Sequence, residues 1–301
     1  MSMKGKDILL VTLVMIIWGV NFSAIKLGVT QLDPLIVAAA RFFFATFPII
    51  FFVRRPPVAW KYLLAYGFIF GTGIWGMASC AITFGLSSGM ASVLLQMDVI
   101  TSVLIGVWLY KEKVSLQMGL GITIALAGVI ISVMYTNGNV TLLGVIFIFI
   151  SAICWPLAGV VIRASGTKAA FSFNIWGMLF APVPLVFLSL VINGFDGLMT
   201  TIENWNGQVW FSILFQAYPT TVLGYWVWNK MVLKYPMSKL APMTLLTSVF
   251  ALLSGFMIYR EQLSTIQWIS CSAFLLGILM VLSPTASFIK SSSIKGASAQ
   301  E

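Results

Sequence analysis

Histidine is absent from this 301-residue chain, and only 8 Asp or Glu stand against 17 Lys or Arg. Without imidazole or clustered acids, the sequence offers no paired nucleophile and base and no metal-ligand set, so an intramembrane enzyme is disfavoured and no cofactor is expected. Cys80, Cys154 and Cys271 lie far apart inside apolar stretches and match no metal or redox spacing. They read as small buried residues and imply neither a disulfide nor a cluster. Charge of either sign is scarce, 8% of residues, where a soluble domain carries about 25%. A water-soluble globule is thereby excluded. The cations are scattered singly and in pairs, so they form no patch for nucleic acid.

Apolar sequence fills the space instead: 60% of residues are hydrophobic and the mean hydropathy is +1.01. Read between polar and turn-forming residues, the apolar runs predict spans near 8–28, 35–53, 62–84, 90–110 and 117–135. A second set lies near 143–163, 171–193, 208–230, 239–259 and 266–284. Each is close to the ~20 residues that carry an α-helix across a ~30 Å hydrocarbon core. Lys4 and Lys6 precede the first run in the manner of a signal peptide, but the run continues past Trp18 to about Gly28 with no small-residue cleavage site, so it reads as a retained span. The connections are short and polar, which makes neighbouring helices antiparallel. The residues from Ala286 are rich in Ser, Lys and Ala and read as a disordered tail.

With the N-terminus in the cytoplasm, 14 of the 17 cations fall in inner segments; Lys26 and Arg260 lie near the outer face and Arg41 inside a span. The outer loop around Asp196 and Glu203 has no cation. Both termini are expected to be cytoplasmic. The halves also resemble each other: Tyr110, Lys111, Glu112, Lys113, Val114 and Ser115 align with Tyr259, Arg260, Glu261, Gln262, Leu263 and Ser264 at a constant offset that also sets Gly106 on Gly255. In another register, Trp18 and Lys26 align with Trp155 and Arg163. Units of five spans place the second copy upside down relative to the first, the arrangement of alternating-access carriers. The expected fold is an all-α polytopic membrane protein of ten transmembrane helices, an inverted five-plus-five repeat with units at 1–136 and 137–285 and a tail at 286–301.

Trp18-Gly19-Val20-Asn21-Phe22, Ala40-Arg41-Phe42, and the Glu112 and Glu261 that close the fourth and ninth spans resemble the EamA family of the drug/metabolite transporter superfamily. The segment Ala81 to Gln96, with Phe84-Gly85, Gly89 and Ala91-Ser92, and Gly224-Tyr225 with Trp228, is most similar to its O-acetylserine/cysteine exporters. The resemblance implies a ten-helix basket that exports amino acids or related metabolites across the bacterial inner membrane, and it brings Tyr225 into the candidate site. Asp98 departs from the exporter pattern, which has a neutral polar residue there.

The ionisable and polar residues inside spans carry the chemical expectations. An intramembrane Arg41 costs at least about 2.5–3.5 kcal/mol, so it should face the bundle interior. It either holds a substrate carboxylate or ties helices together through carbonyls or Asp98. Asp98, the one acid inside a span, either carries a proton or binds an ammonium, or else forms a static pair with Arg41. Asn21 and Gln96 can serve a zwitterion or bond between helices. Trp18, Trp75 and Trp155 either wall a cavity or anchor at the interface. Pro156 and Pro242 interrupt the sixth and ninth spans as gating hinges or rigid kinks. Glu112 and Glu261 read as interfacial salt bridges at the repeat corners. The partners expected are a small molecule, the bilayer and, in a proton-linked version, protons. Export of other metabolites or drug-like compounds is the alternative, with sugar-phosphate exchange behind it because only one buried cation is placed for an anion. A channel is disfavoured because the second half does not repeat Arg41.

Overall fold

The computed structural model describes residues 3–111, 114–135, 138–235 and 237–282. Ten helical passes follow one another, and no strand occurs among the described residues. They are α1 (Gly5–Val29), α2 (Pro34–Thr46), α3 (Trp60–Thr83), α4 (Ser88–Leu95 and Met97–Tyr110), α5 (Leu116–Met134), α6 (Leu142–Ser165), α7 (Ala170–Met178 and Pro182–Glu203), α8 (Gly207–Phe215 through Gly224–Lys234), α9 (Met237–Tyr259) and α10 (Thr265–Leu282). Nine stretches among the described residues are long and apolar enough to cross a membrane, which makes this a multi-pass membrane protein. The pass outside that set is α8, whose middle carries Gln216, Thr220 and Thr221, all buried in the bundle. The tail from residue 286 and Glu112 lie outside the described residues.

Local chemistry sets the helix starts. Asp33 Oδ1 accepts the Leu35 and Ile36 amides at 2.8 and 2.9 Å, with Pro34 opening α2. Ser87, Ser115 and Thr141 cap α4, α5 and α6 in the same way, and Asn206 caps α8. Lys111 and Arg260, aligned in the sequence repeat, both close their helices with positive φ of 56°.

Four passes are interrupted. In α3 the segment Phe68–Gly76, and in α8 the segment Gln216–Leu223, are π-helical. The α4 helix breaks at Gln96. The α7 pass breaks ahead of Pro182 and again at Gly194, where φ is 68°. The chain stays helical from there to Glu203, so the connection expected around Asp196 is itself helical beyond the kink. Hydropathy has no signal for the break ahead of Pro182, because Phe180, Ala181 and Val183 around it are apolar, whereas the kink at Gly194, between Asn193 and Asp196, falls at the predicted end of the span.

Packing pairs α1 with α9 and α6 with α4, α1 with α8 and α6 with α3, α2 with α7, and α5 with α10. Exchanging each helix for the one five places along converts this set into itself. In the α5–α10 pair the backbones touch: a Cβ on Gly277 would meet the Gly121 carbonyl oxygen at 2.5 Å, and one on Gly121 the Gly277 oxygen at 2.7 Å.

Candidate functional site

A cavity of about 300 Å³ lies inside the bundle, room for roughly ten water-sized groups. Trp18, Trp75, Gln96, Asp98, Trp155 and Tyr225 line it, as do Phe22, Ser92, Trp228, Thr244 and Thr247. Its lining continues to Ala241 near the start of α9 and Leu282 at the end of α10, so it extends toward the face where the described chain enters and leaves the bundle.

Aromatic rings make the walls. Trp18 packs on Tyr225 and Trp228 with centroids at 5.4 and 5.5 Å, and Trp75 meets Trp155 at 6.0 Å and Phe22 at 6.3 Å. Trp18 is held by its Nε1, which donates to the Thr220 carbonyl at 3.1 Å. That oxygen belongs to the π-helical segment of α8, whose altered bonding leaves carbonyls for side chains. The α3 π segment is served likewise, Ser151 Oγ donating to the Ile74 carbonyl at 2.8 Å.

The polar groups converge where α4 breaks. Gln96 sits in the break and Asp98 in the first turn of the helix that resumes, where the positive end of the helix dipole favours a carboxylate. Four polar atoms of the lining are buried without a hydrogen-bond partner among the described residues: Trp75 Nε1, Ser92 Oγ, Gln96 Nε2 and Asp98 Oδ1. A buried polar atom left unpaired costs about 1–3 kcal/mol. These atoms sit just behind the cavity surface, while the partly exposed Gln96 and Asp98 side chains give the otherwise aromatic space one polar edge.

Arg41 and Asn21 are not in the lining. Arg41 is only 1% exposed; its Nε and Nη2 donate to Thr221 Oγ1 at 3.1 and 3.0 Å, and its Cζ lies 4.1 Å from the Trp75 ring centroid. The indole thus stands between the guanidinium and the cavity, and the Arg41–Asp98 pair considered from the sequence does not form. Stacking on an indole replaces part of the lost hydration of the cation. Asn21 is fully buried in α1 with neither amide atom paired among the described residues.

Pro156 lies inside α6 and Pro242 inside α9, and both helices run through them. Pro156 offers no N–H to the Ala152 carbonyl, and Thr101 Oγ1 donates to that oxygen at 2.6 Å from α4. Thr101→Val is therefore expected to lower stability by about 1–3 kcal/mol. Pro156→Ala in the same chain should recover most of it, because the restored N–H serves the same carbonyl; thermal unfolding of the two variants in detergent checks both.

A second polar cluster lies at the far ends of the same helices. Glu261 Oε1 accepts from Lys26 Nζ at 2.7 Å and from the Ser88 amide and hydroxyl, each at 2.9 Å, while Oε2 accepts from the Gly89 amide at 3.2 Å. Its partner is Lys26 rather than the adjacent Arg260. Burial works against this carboxylate, but the bonds from Lys26, Ser88 and Gly89 outweigh it and hold the group below its ordinary range. Gly255 has no space for a side chain, since a Cβ there would fall on the Glu261 carboxylate. At the opposite face, Asp7 accepts from Lys234 Nζ and the Tyr235 hydroxyl, each at 2.6 Å.

Thr244 and Thr247 were not singled out from the sequence, and Ser92 entered only within the exporter-like segment. The three-residue spacing of Thr244 and Thr247, which puts both hydroxyls on one helix face, was a usable signal.

The EamA-like transporter family model matches twice, over residues 5–134 and 142–283. A probable amino-acid metabolite efflux pump of Escherichia coli K12 is 29% identical over 282 residues, 92% of this chain and 94% of that protein. Its Salmonella typhimurium counterpart, described in the same words, is 31% identical over 88% of this chain and 91% of its own length. An uncharacterized transporter of Archaeoglobus fulgidus is 25% identical over 92% of this chain and 99% of its own.

Proposed function

This chain belongs to the EamA-like transporter family, and on that premise we propose that it exports small amino acids or closely related metabolites from the cytoplasm across a bacterial inner membrane. The observation that carries the reading is the central cavity, an aromatic enclosure with Asp98 and Gln96 in its lining. Asp98 receives the substrate ammonium, and Gln96, Thr244 and Thr247 supply donors and acceptors for its other polar atoms. Trp18, Trp155 and Tyr225 cover its apolar part. Arg41 and Asn21 act behind the wall, Arg41 by fixing the Trp75 ring.

Transport proceeds by alternating access between two five-helix units, 1–136 and 137–285, of opposite orientation. Support comes from the double family match and from packing pairs that exchange under a five-helix shift. Both termini lie in the cytoplasm, as the distribution of Lys and Arg suggests. The cavity then extends inward, while the Glu261 cluster fastens the outer ends of α1, α4 and α9. Reorientation requires α9 to move against α1; Pro242, beside the lining residue Ala241, is the hinge we assign. In the proton-linked form of the cycle, Asp98 exchanges ammonium for a proton.

Reconstituted vesicles preloaded with unlabelled amino acid should accumulate labelled cysteine, O-acetylserine or a similar amino acid by saturable counterflow, and an imposed pH gradient should change its rate. Saturable exchange of sugar phosphates without exchange of amino acids would contradict the proposal.

A further inference from the structure

The charge of the cavity is one-sided. Among the described residues that line it, Asp98 is the single acidic or basic side chain. Arg41 is bonded to Thr221 and stacked on the lining residue Trp75, so meeting a substrate would require both contacts to break and the indole to turn. Farther along α8, Lys230 lies 3.4 Å from the Trp226 ring centroid and Lys234 is paired with Asp7.

An amino acid brings two charges into this space, and they are received unequally. Its ammonium finds a carboxylate and several indole faces, which together recognise cations. Its carboxylate finds only neutral polar residues such as Gln96, Thr244 and Thr247, which lack the Coulomb attraction that a cation would add. It must also shed its hydration near a second carboxylate, a like-charge juxtaposition that opposes binding.

We propose that the cavity selects the ammonium group of its substrates and leaves the carboxylate dispensable, so that the substrate class includes small primary amines and amino-acid amides with apolar or aromatic bodies. The inference rests on the assignment of this cavity as the transport site. Substrate selectivity then follows from the sign of one side chain and from the indole that screens the other.

The test uses four forms of one side chain as competitors of labelled counterflow in vesicles holding the purified protein: the free amino acid, its amide, the amine lacking the carboxyl group, and the N-acetyl amino acid. Cysteine, leucine and phenylalanine series cover the range of sizes. The amide and the amine are expected to compete at least as well as the free acid, and the N-acetyl form at least about tenfold more weakly, the loss of one charge-assisted contact. In Asp98→Asn, shown to be folded by its thermal unfolding, the margin of amine over N-acetyl form should shrink to about twofold. Competition by the free acid but not by the amide or amine overturns the inference and leaves the exporter reading intact. So does equal competition by the N-acetyl form. Retention of the full margin in folded Asp98→Asn overturns the assignment to that side chain. Failure of every compound in all three series to be carried or to compete sinks the exporter reading and this inference together.

Discussion

Replacing Asp98 with Asn is expected to weaken amino-substrate binding by roughly 10- to 100-fold, the equivalent of a hydrogen bond to a charged group, while leaving the fold intact. Asp98 Oδ1 has no partner among the described residues and the carboxylate forms no ion pair, so the substitution removes no salt bridge within the protein. Removing an unpaired carboxylate from the lining relieves desolvation rather than adding to it. Thermal stability should therefore hold or rise as transport falls. That combination distinguishes a substrate contact from a structural pair, whose removal costs about 3–5 kcal/mol when buried. In the proton-linked cycle the same variant also loses its response to a pH gradient. Normal counterflow by Asp98→Asn with an unchanged pH response would show that neither ammonium nor proton is handled there.

Glu261→Gln should produce the reverse pattern, a loss of stability at a distance from the cavity. The carboxylate bonds to Lys26, Ser88 and Gly89 and thereby joins α1, the start of α4 and the end of α9. The Lys26 side chain retains 24% of its exposure and that of Glu261 10%. Solvent screening brings the expected cost to about 1–3 kcal/mol, below that of a fully buried pair. Because the folded group titrates below its unfolded value, its contribution is complete above the ordinary carboxylate range and is lost as pH falls through the depressed folded value. The wild-type melting temperature should accordingly decline on acidification more steeply than that of Glu261→Gln, and the curves should converge at the acid end. Parallel curves across that range would mean that Glu261 contributes nothing through its charge. Substituting Gly255 by Ala should imitate the loss at neutral pH, because the added methyl group takes the place of the carboxylate.

The spans were legible because a bilayer accepts only segments that satisfy their own backbone bonds and present apolar side chains, and both requirements are written locally along the chain. The predicted ends of α1, α5, α6 and α10 fall within a few residues of the observed ones. The breaks were less legible. The break at Gln96 and the π-helical stretches of α3 and α8 depend on side chains from other helices, Ser248, Ser151 and Trp18, that donate to backbone carbonyls there. The polarity of α8 had a partial trace in Gln216, Thr220 and Thr221, residues unusual for a helix facing lipid.

The candidate site divides along the same line. Composition alone could say that Trp18, Trp75, Gln96, Asp98 and Trp155 are costly or unusual inside apolar helices, and hence that they belong in the interior. It could not say that they meet, because their convergence depends on how α1, α3, α4 and α6 pack. Arg41 shows the difference most clearly. Its cost in hydrocarbon required an interior position from sequence, yet only the packing of α2 against α3 and α8 put Trp75 between it and the cavity and gave it Thr221 in place of Asp98. One-dimensional hydropathy determined how often the chain crosses the membrane, since that is a property of each segment against lipid. Three-dimensional contact decided which charge a substrate meets, since that is a property of neighbours far apart in sequence.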